Sequence, residues 1–235
     1  MNIIDTIIVC LILLYALNGL YRGFLPSILN LGMFFLSWLI SFLCYPLVAA
    51  KLVTTDFFSS FEMYVEGTEW LPSFEYARAD VSSLSDQQLT KIVSESRLPP
   101  PFDTAITASV KGQVFADSGA TTLGEYYNLT IYSVIINIIS LLLLFLALRL
   151  IFTLLANAFT YGYQLPALRH FEYPSGAAVG LIRGFFSMYL LFMLVPIALV
   201  LLRSIDLVTN TVNGSWTSGI FYSSSIALRF ISGHI

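Results

Sequence analysis

Charge is scarce in this sequence. Only 11% of its 235 residues are Asp, Glu, Lys or Arg, against about 25% in an ordinary soluble domain. Eleven Lys and Arg against fourteen Asp and Glu leave a net charge of −3, which excludes the basic face of a nucleic-acid binder. Cys10 and Cys44 are the sole cysteines, too few for a disulfide scaffold or a thiolate metal site. The two histidines, His170 and His234, form no ligand pattern and there is no H-E-x-x-H pair. A hydrolytic serine needs a His or Lys within reach, yet Lys51, Lys91 and Lys111 all fall in or beside the polar middle of the chain. The apolar stretches supply no carboxylate pair, and no glycine-lysine phosphate loop occurs. The expectation is a non-enzyme with no catalytic, cofactor-binding or metal residues.

What the sequence does have is hydrophobicity, 57% of residues with a mean hydropathy of +0.81. A bilayer core about 30 Å thick needs roughly 20 apolar helical residues. Four charge-free runs approach or exceed that length: residues 6–21, 23–50, 126–148 and 184–202. They predict an all-α membrane protein with four transmembrane helices in two pairs. Asp5 stands where a cleavable signal would be basic, so the first run is expected to stay as a span. The pairs occupy residues 1–51 and 126–203, separated by a polar insert at 52–125 and followed by a tail at 204–235. Residues 150–168 are expected to extend the third helix and then turn, because Asn157, Gly162, Gln164 and Pro166 interrupt them. Ile220, Ser224, Leu228 and Ile231 have helical spacing, which fits an interfacial amphipathic helix or a short tail packed on the bundle.

The insert holds eleven acids against four bases. Long segments are poor orientation signals, so the short connections decide topology. Arg22, Arg149 and Arg169 lie on one side, and Lys51 and Arg203 on the other. That majority puts both termini and the insert of the multi-pass protein outside. Within the insert, Ser85 caps a predicted helix over residues 86–96, with Leu89, Ile92 and Val93 on one face and Pro99–101 ending it. A solvated acidic loop is the alternative for the rest.

One motif repeats. Gly19-Leu20-Tyr21-Arg22-Gly23-Phe24 returns as Gly180-Leu181-Ile182-Arg183-Gly184-Phe185, each copy expected to open a long span at its cytoplasmic end. Gly176, Gly180 and Gly184 recur every four residues along one helix face, and Gly19 and Gly23 repeat the spacing. In lipid such small residues let backbones approach. These five glycines with Arg22 and Arg183 are the candidate helix-packing residues, and a ligand or ion path is the competing reading. Asp5 is the candidate polar residue at a membrane end, expected on the outer side, away from both arginines. Arg149 reads as a positive-inside anchor, and the two cysteines as small buried apolar residues. Asn18, Asn30, Ser37, Ser41, Asn137 and Ser140 are scattered polar positions that a conducting path would have to use.

An early aspartate, an apolar span and Arg22-Gly23-Phe24 resemble the opening of the colicin V production protein (CvpA) family. The stretch from Gly176 through Arg183 to Gly184 resembles that family's second signature. The resemblance covers both helix pairs, roughly residues 1–50 and 126–203, but not the insert. It implies a protein of the bacterial cytoplasmic membrane, an accessory factor or scaffold in bacteriocin production or export and in envelope integrity. The implied partners are the lipid bilayer, other envelope or secretion proteins and further copies of the chain. A small transporter or channel subunit acting as an oligomer is the alternative.

Overall fold

The computed structural model describes residues 2–162, 172–202, 206–223 and 225–235. Among them the chain is helical, and the sole strand-like pairing is an isolated bridge between Asp80 and Thr122. Four helices are long and apolar enough to cross a membrane. Helix α1 (Ile3–Arg22) begins at a capping box, with Asn2 as cap and Asp5 reaching back to the Asn2 N–H. It ends at Gly23, whose φ of 81° is open to glycine and strained for other residues. Helix α2 (Phe24–Val53) follows at once.

Short helices α3 (Asp56–Phe61) and α4 (Phe74–Ala77) come next, then α5 (Asp86–Ser96) and α6 (Phe102–Lys111). The 40-residue α7 (Leu123–Gly162) precedes α8 (Glu172–Phe192) and α9 (Val195–Leu201). The C-terminal region holds α10 (Asp206–Asn213), α11 (Trp216–Ser218), a π-turn at Gly219–Ser223 and α12 (Ile226–Arg229).

Two compact units emerge. The first comprises Met1–Tyr45, Leu141–Val195 and Ser204–Ser224. Its main contact is α1 against α8, with Gly23 beside Glu172, Gly19 beside Gly176 and Tyr15 beside Gly180 and Gly184. Residue numbers fall on one helix as they rise on the other, so the pair is antiparallel. The glycines thus join the first and fourth spans, not the consecutive spans expected to pair. The buried face of α2 in this unit runs Ser27, Asn30, Phe34, Ser37 and Ser41, at helical spacing. Ser37 and Ser41 donate to carbonyls one turn back on their own helix, which quiets a hydroxyl in an apolar setting.

The second unit comprises Pro46–Ser140, Pro196–Arg203 and Ser225–Ile235. Here the polar segment between α2 and α7 is folded rather than a solvated loop. Ser85 and Gln88 form a capping box on α5, and Leu89, Ile92 and Val93 are buried. The helix stops at Arg97, which is left-handed with φ 53°, before the prolines expected to end it. Asp80 accepts hydrogen bonds from the Ser82 N–H and hydroxyl, and these hold its carboxyl below the usual carboxylate range. Gly67 presses against the α7 backbone at Tyr127 and Asn128, and the Thr68 N–H donates to Asn128 Oδ1 at 3.0 Å. Tyr132 donates to the Phe58 carbonyl at 2.9 Å.

The third candidate span, Leu123–Ala158, contains the expected run and is longer than it. Residues 130–138 of α7 are buried on every side, as a helix enclosed by protein is. The exposed leucines of α7 begin only at Leu143 and run to Leu155. A 40-residue helix is about 60 Å long, twice a bilayer core. The expected run at 126–148 therefore covers the protein-enclosed half and only the beginning of the half with an exposed apolar surface.

The tail is not one amphipathic helix. It breaks into short turns, and Phe221, Tyr222, Leu228 and Ile231 are buried, which fits the packed-tail alternative. Ser224 lies outside the described residues, as do Gln164, Pro166, Arg169, His170 and Arg203.

Candidate functional site

The site grows from the α1–α8 crossing in the first unit. A methyl group placed on Gly19 would meet the Gly176 carbonyl, and one on Gly176 would meet the Gly19 carbonyl. One on Gly180 would meet the Tyr15 carbonyl, and one on Gly184 would stand 2.9 Å from Tyr15 Cβ. Gly23 faces the Glu172 side chain. Gly19, Gly176 and Gly180 therefore lie where the two backbones approach, the arrangement that glycine permits between membrane helices, while Gly23 and Gly184 each make room for a side chain of the other helix.

The two motif copies are not equivalent. Gly19 to Arg22 closes α1, whereas Gly180 to Gly184 lies inside α8, which starts at Glu172. The expectation that each copy opens a span is thus corrected for the second copy: the apolar run at 184–202 is only the later part of a helix begun twelve residues earlier. Arg22 is exposed at the α1 end. Arg183 is partly buried at mid-helix, its guanidinium 4.9 Å from the Tyr15 ring centroid, a cation–π distance.

Arg149 is the residue that sequence reasoning misjudged. The helix does extend past it, as expected, to Gly162, but Arg149 was expected to anchor the inner end of the span and instead lies within a candidate span that runs Leu123–Ala158. Its Nη2 donates to Asn30 Oδ1 at 3.0 Å and its Nη1 to the Asn30 carbonyl at 3.3 Å. One signal was available: charge-free runs flank Arg149 on both sides, and an isolated arginine within such a length is a functional candidate by default. Arg149 and Arg183 share a cavity of about 470 Å³ with Tyr15, Phe34, Phe145 and several leucines. Among the described residues no acidic side chain lines it. Among the described residues neither arginine has an ion pair, and Arg183 Nε is buried with no hydrogen-bond partner.

Asp5 sits elsewhere in the same unit and is 5% exposed. Its Oδ1 accepts from the Ser215 hydroxyl at 2.7 Å, the Thr217 N–H at 3.0 Å and the Thr217 hydroxyl at 2.8 Å. Its other oxygen accepts from the Asn2 N–H. Every donor is neutral, and those from Ser215 and Thr217 come from the C-terminal region, so the carboxylate ties the tail to the first turn of α1. Nothing in the sequence singled out Ser215 or Thr217, because isolated Ser and Thr in a tail read as loop.

The remaining polar positions have separate settings. Asn18 is exposed, while Asn30, Ser37, Ser41, Asn137 and Ser140 are buried. In the second unit Asn137 donates to the carbonyls of Ser232 and His234, and Ser140 to that of Ile136. Cys10 is exposed and Cys44 half-buried, both free, so the expectation that Cys10 is buried is corrected. Among the described residues no three His, Cys, Asp or Glu side chains gather as a metal site requires.

No curated protein and no solved structure matches the chain. A family model does match, and it covers α1, α2 and the first part of the folded segment after them. It thus enters the insert, which the resemblance in the sequence did not cover, and it stops before the second glycine motif. Residues 4–76, including Asp5, Gly19, Arg22 and Gly23, match the family described as Colicin V production protein.

Proposed function

We propose that the protein is a non-enzymatic accessory factor or scaffold of the bacterial cytoplasmic membrane, acting in production or export of colicin V-type bacteriocins and in envelope integrity. The observation that carries this reading is the family match over residues 4–76. The helical architecture fits it: four candidate spans, one close backbone pair, and a folded segment of residues 54–122 available to envelope or secretion proteins. Ser37, Ser41 and Ser140 bond to carbonyls of their own helices, which favours a scaffold over a conducting subunit whose polar groups must face a path.

The proposed orientation places the α1–α2 junction in the cytoplasm and the folded segment outside. Arg149 no longer counts as a connection residue, since it lies within α7. The support that remains is Arg22, exposed at the end of α1 beside the short α1–α2 junction, where a cation favours the cytoplasmic side.

Deletion of the gene in a bacteriocin-producing host tests the role. The expected result is reduced bacteriocin release and greater sensitivity to detergents, both restored by the full chain. A deletion strain equal to its parent in both assays would overturn the reading. Purified protein that moves ions or small solutes across vesicle membranes would favour the transport alternative.

A further inference from the structure

The cavity of the first unit is chemically lopsided. Apart from Ser187, whose hydroxyl donates to the Arg183 carbonyl, its walls are aromatic and aliphatic, its two charged groups are both guanidiniums, and among the described residues no carboxylate lines it. A lone cation in an apolar setting is costly unless paired and hydrogen-bonded. Arg149 meets part of that need with Asn30. Arg183 has the Tyr15 ring face, but its buried Nε has no acceptor among the described residues. Buried donors normally have partners, and those left without one call for an explanation. Two guanidiniums with no carboxylate among the described residues of the lining make an anion the complementary occupant.

The surroundings of the arginines say which kind of anion. Leu146, Leu191 and Leu194 border the cavity and are themselves exposed, on helices able to cross a membrane. The cavity is thus open along a surface that hydrocarbon would cover. Its volume is within the range of about 300–1,000 Å³ that small-molecule sites occupy, so it accepts a headgroup and the upper part of a chain. Roughly 16 Å of helix separates Arg183 from the start of α8 at Glu172, at ~1.5 Å per residue. Snorkelling and local bilayer thinning are known ways for arginine at such depth to meet phosphate. Arginine is also the side chain best suited to grip phosphate oxygens in pairs.

We propose that this cavity binds an anionic phospholipid, with its phosphate between the guanidiniums of Arg149 and Arg183 and its chain along Leu146, Leu191 and Leu194. This site is independent of the proposed role in bacteriocin production, because it rests on the cavity alone. The test uses the purified full chain in nanodiscs of phosphatidylcholine, with or without phosphatidylglycerol, and in phosphatidylcholine with added inorganic phosphate. Phosphatidylglycerol is expected to raise Tm by about 5 °C, the scale a well-occupied site produces in a chain of this size. The shift should persist in Arg22→Gln and vanish in the double variant Arg149→Gln/Arg183→Gln.

A shift retained in the double variant would mean general surface attraction and overturn the site. Equal stabilisation by inorganic phosphate alone would overturn the lipid as its occupant. So would the absence of any shift in the wild type. Should the double variant fail to fold, a phosphatidylglycerol analogue with a photoreactive chain settles the question on the wild type. Its crosslinks are expected on residues 142–146 and 190–194, and labelling only elsewhere would overturn the proposal.

Discussion

Asp5 accepts both the backbone N–H and the hydroxyl of Thr217, joining the first turn of the chain to a residue 212 positions later. With Ser215 and Asn2 also donating to it, the carboxylate fixes where α11 meets α1. Asn at position 5 would keep the size but lose the charge and turn one acceptor into a donor facing hydroxyls. Hydrogen bonds to an ionised group are the stronger kind. Asp5→Asn should therefore lower Tm and speed hydrogen exchange at Thr217 and Ser218, while exchange in α5 stays unchanged. Unaltered exchange at Thr217 would show that the carboxylate does not hold the tail.

The glycine crossing makes a quantitative prediction. A methyl at Gly180 meets the Tyr15 carbonyl, which is backbone and yields only if the helices separate. Gly180→Ala should cost about 1–3 kcal/mol, the usual range for overpacking, and Gly180→Leu should prevent folding. Ala198→Leu, at a half-buried position in α9, should be far milder. Equal folded yield and equal Tm for the two leucine variants would remove the close-packing role.

Parts of this arrangement were legible in the sequence and parts were not, for physical reasons. Charge-free runs locate spans because hydrocarbon excludes charge, and Ser85 with Gln88 marked the start of α5 because the cap is a local interaction. Glycine spacing identifies a helix face, yet it carries no information about which helix meets that face. Gly176 finds Gly19 through packing between distant segments, so the consecutive-pair expectation had no way to fail until the fold was known. Arg149 was misplaced for a different reason: hydropathy sees residues 123–162 as one apolar length and cannot tell which half other protein encloses.

The Asn30–Arg149 pair separates the cost of a broken hydrogen bond from the worth of the pair itself. Asn30→Ala removes the Oδ1 acceptor and leaves a partly buried guanidinium short of a partner. That should destabilise by about 1–3 kcal/mol. The double variant Asn30→Leu/Arg149→Met removes both partners and keeps apolar chains, and replacement of a buried polar pair by apolar packing is often neutral. The expected order in Tm is wild type close to the double variant, with Asn30→Ala lower. A double variant much less stable than Asn30→Ala would mean that the pair itself supports the helix contacts.

Orientation yields the last prediction. If the folded segment lies outside, an exposed position on α5 and an exposed position in the first turn of α8 are on opposite sides of the membrane. Gln87 and Tyr173 are such positions, and both side chains are solvent-exposed. Neither takes part in the Ser85–Gln88 cap or the glycine contacts. Single substitutions Gln87→Cys and Tyr173→Cys, in a background lacking Cys10 and Cys44, should react differently with a membrane-impermeant thiol reagent applied to intact spheroplasts. Gln87→Cys should label at once and Tyr173→Cys only after permeabilisation. The reverse pattern would invert the protein and place Arg22 on the outer face. It would leave the α1–α8 crossing untouched, since that contact depends on the glycines and not on the direction in which the helices cross. Labelling of both positions in intact spheroplasts would instead mean an even number of crossings between α5 and α8, contrary to a single passage by α7.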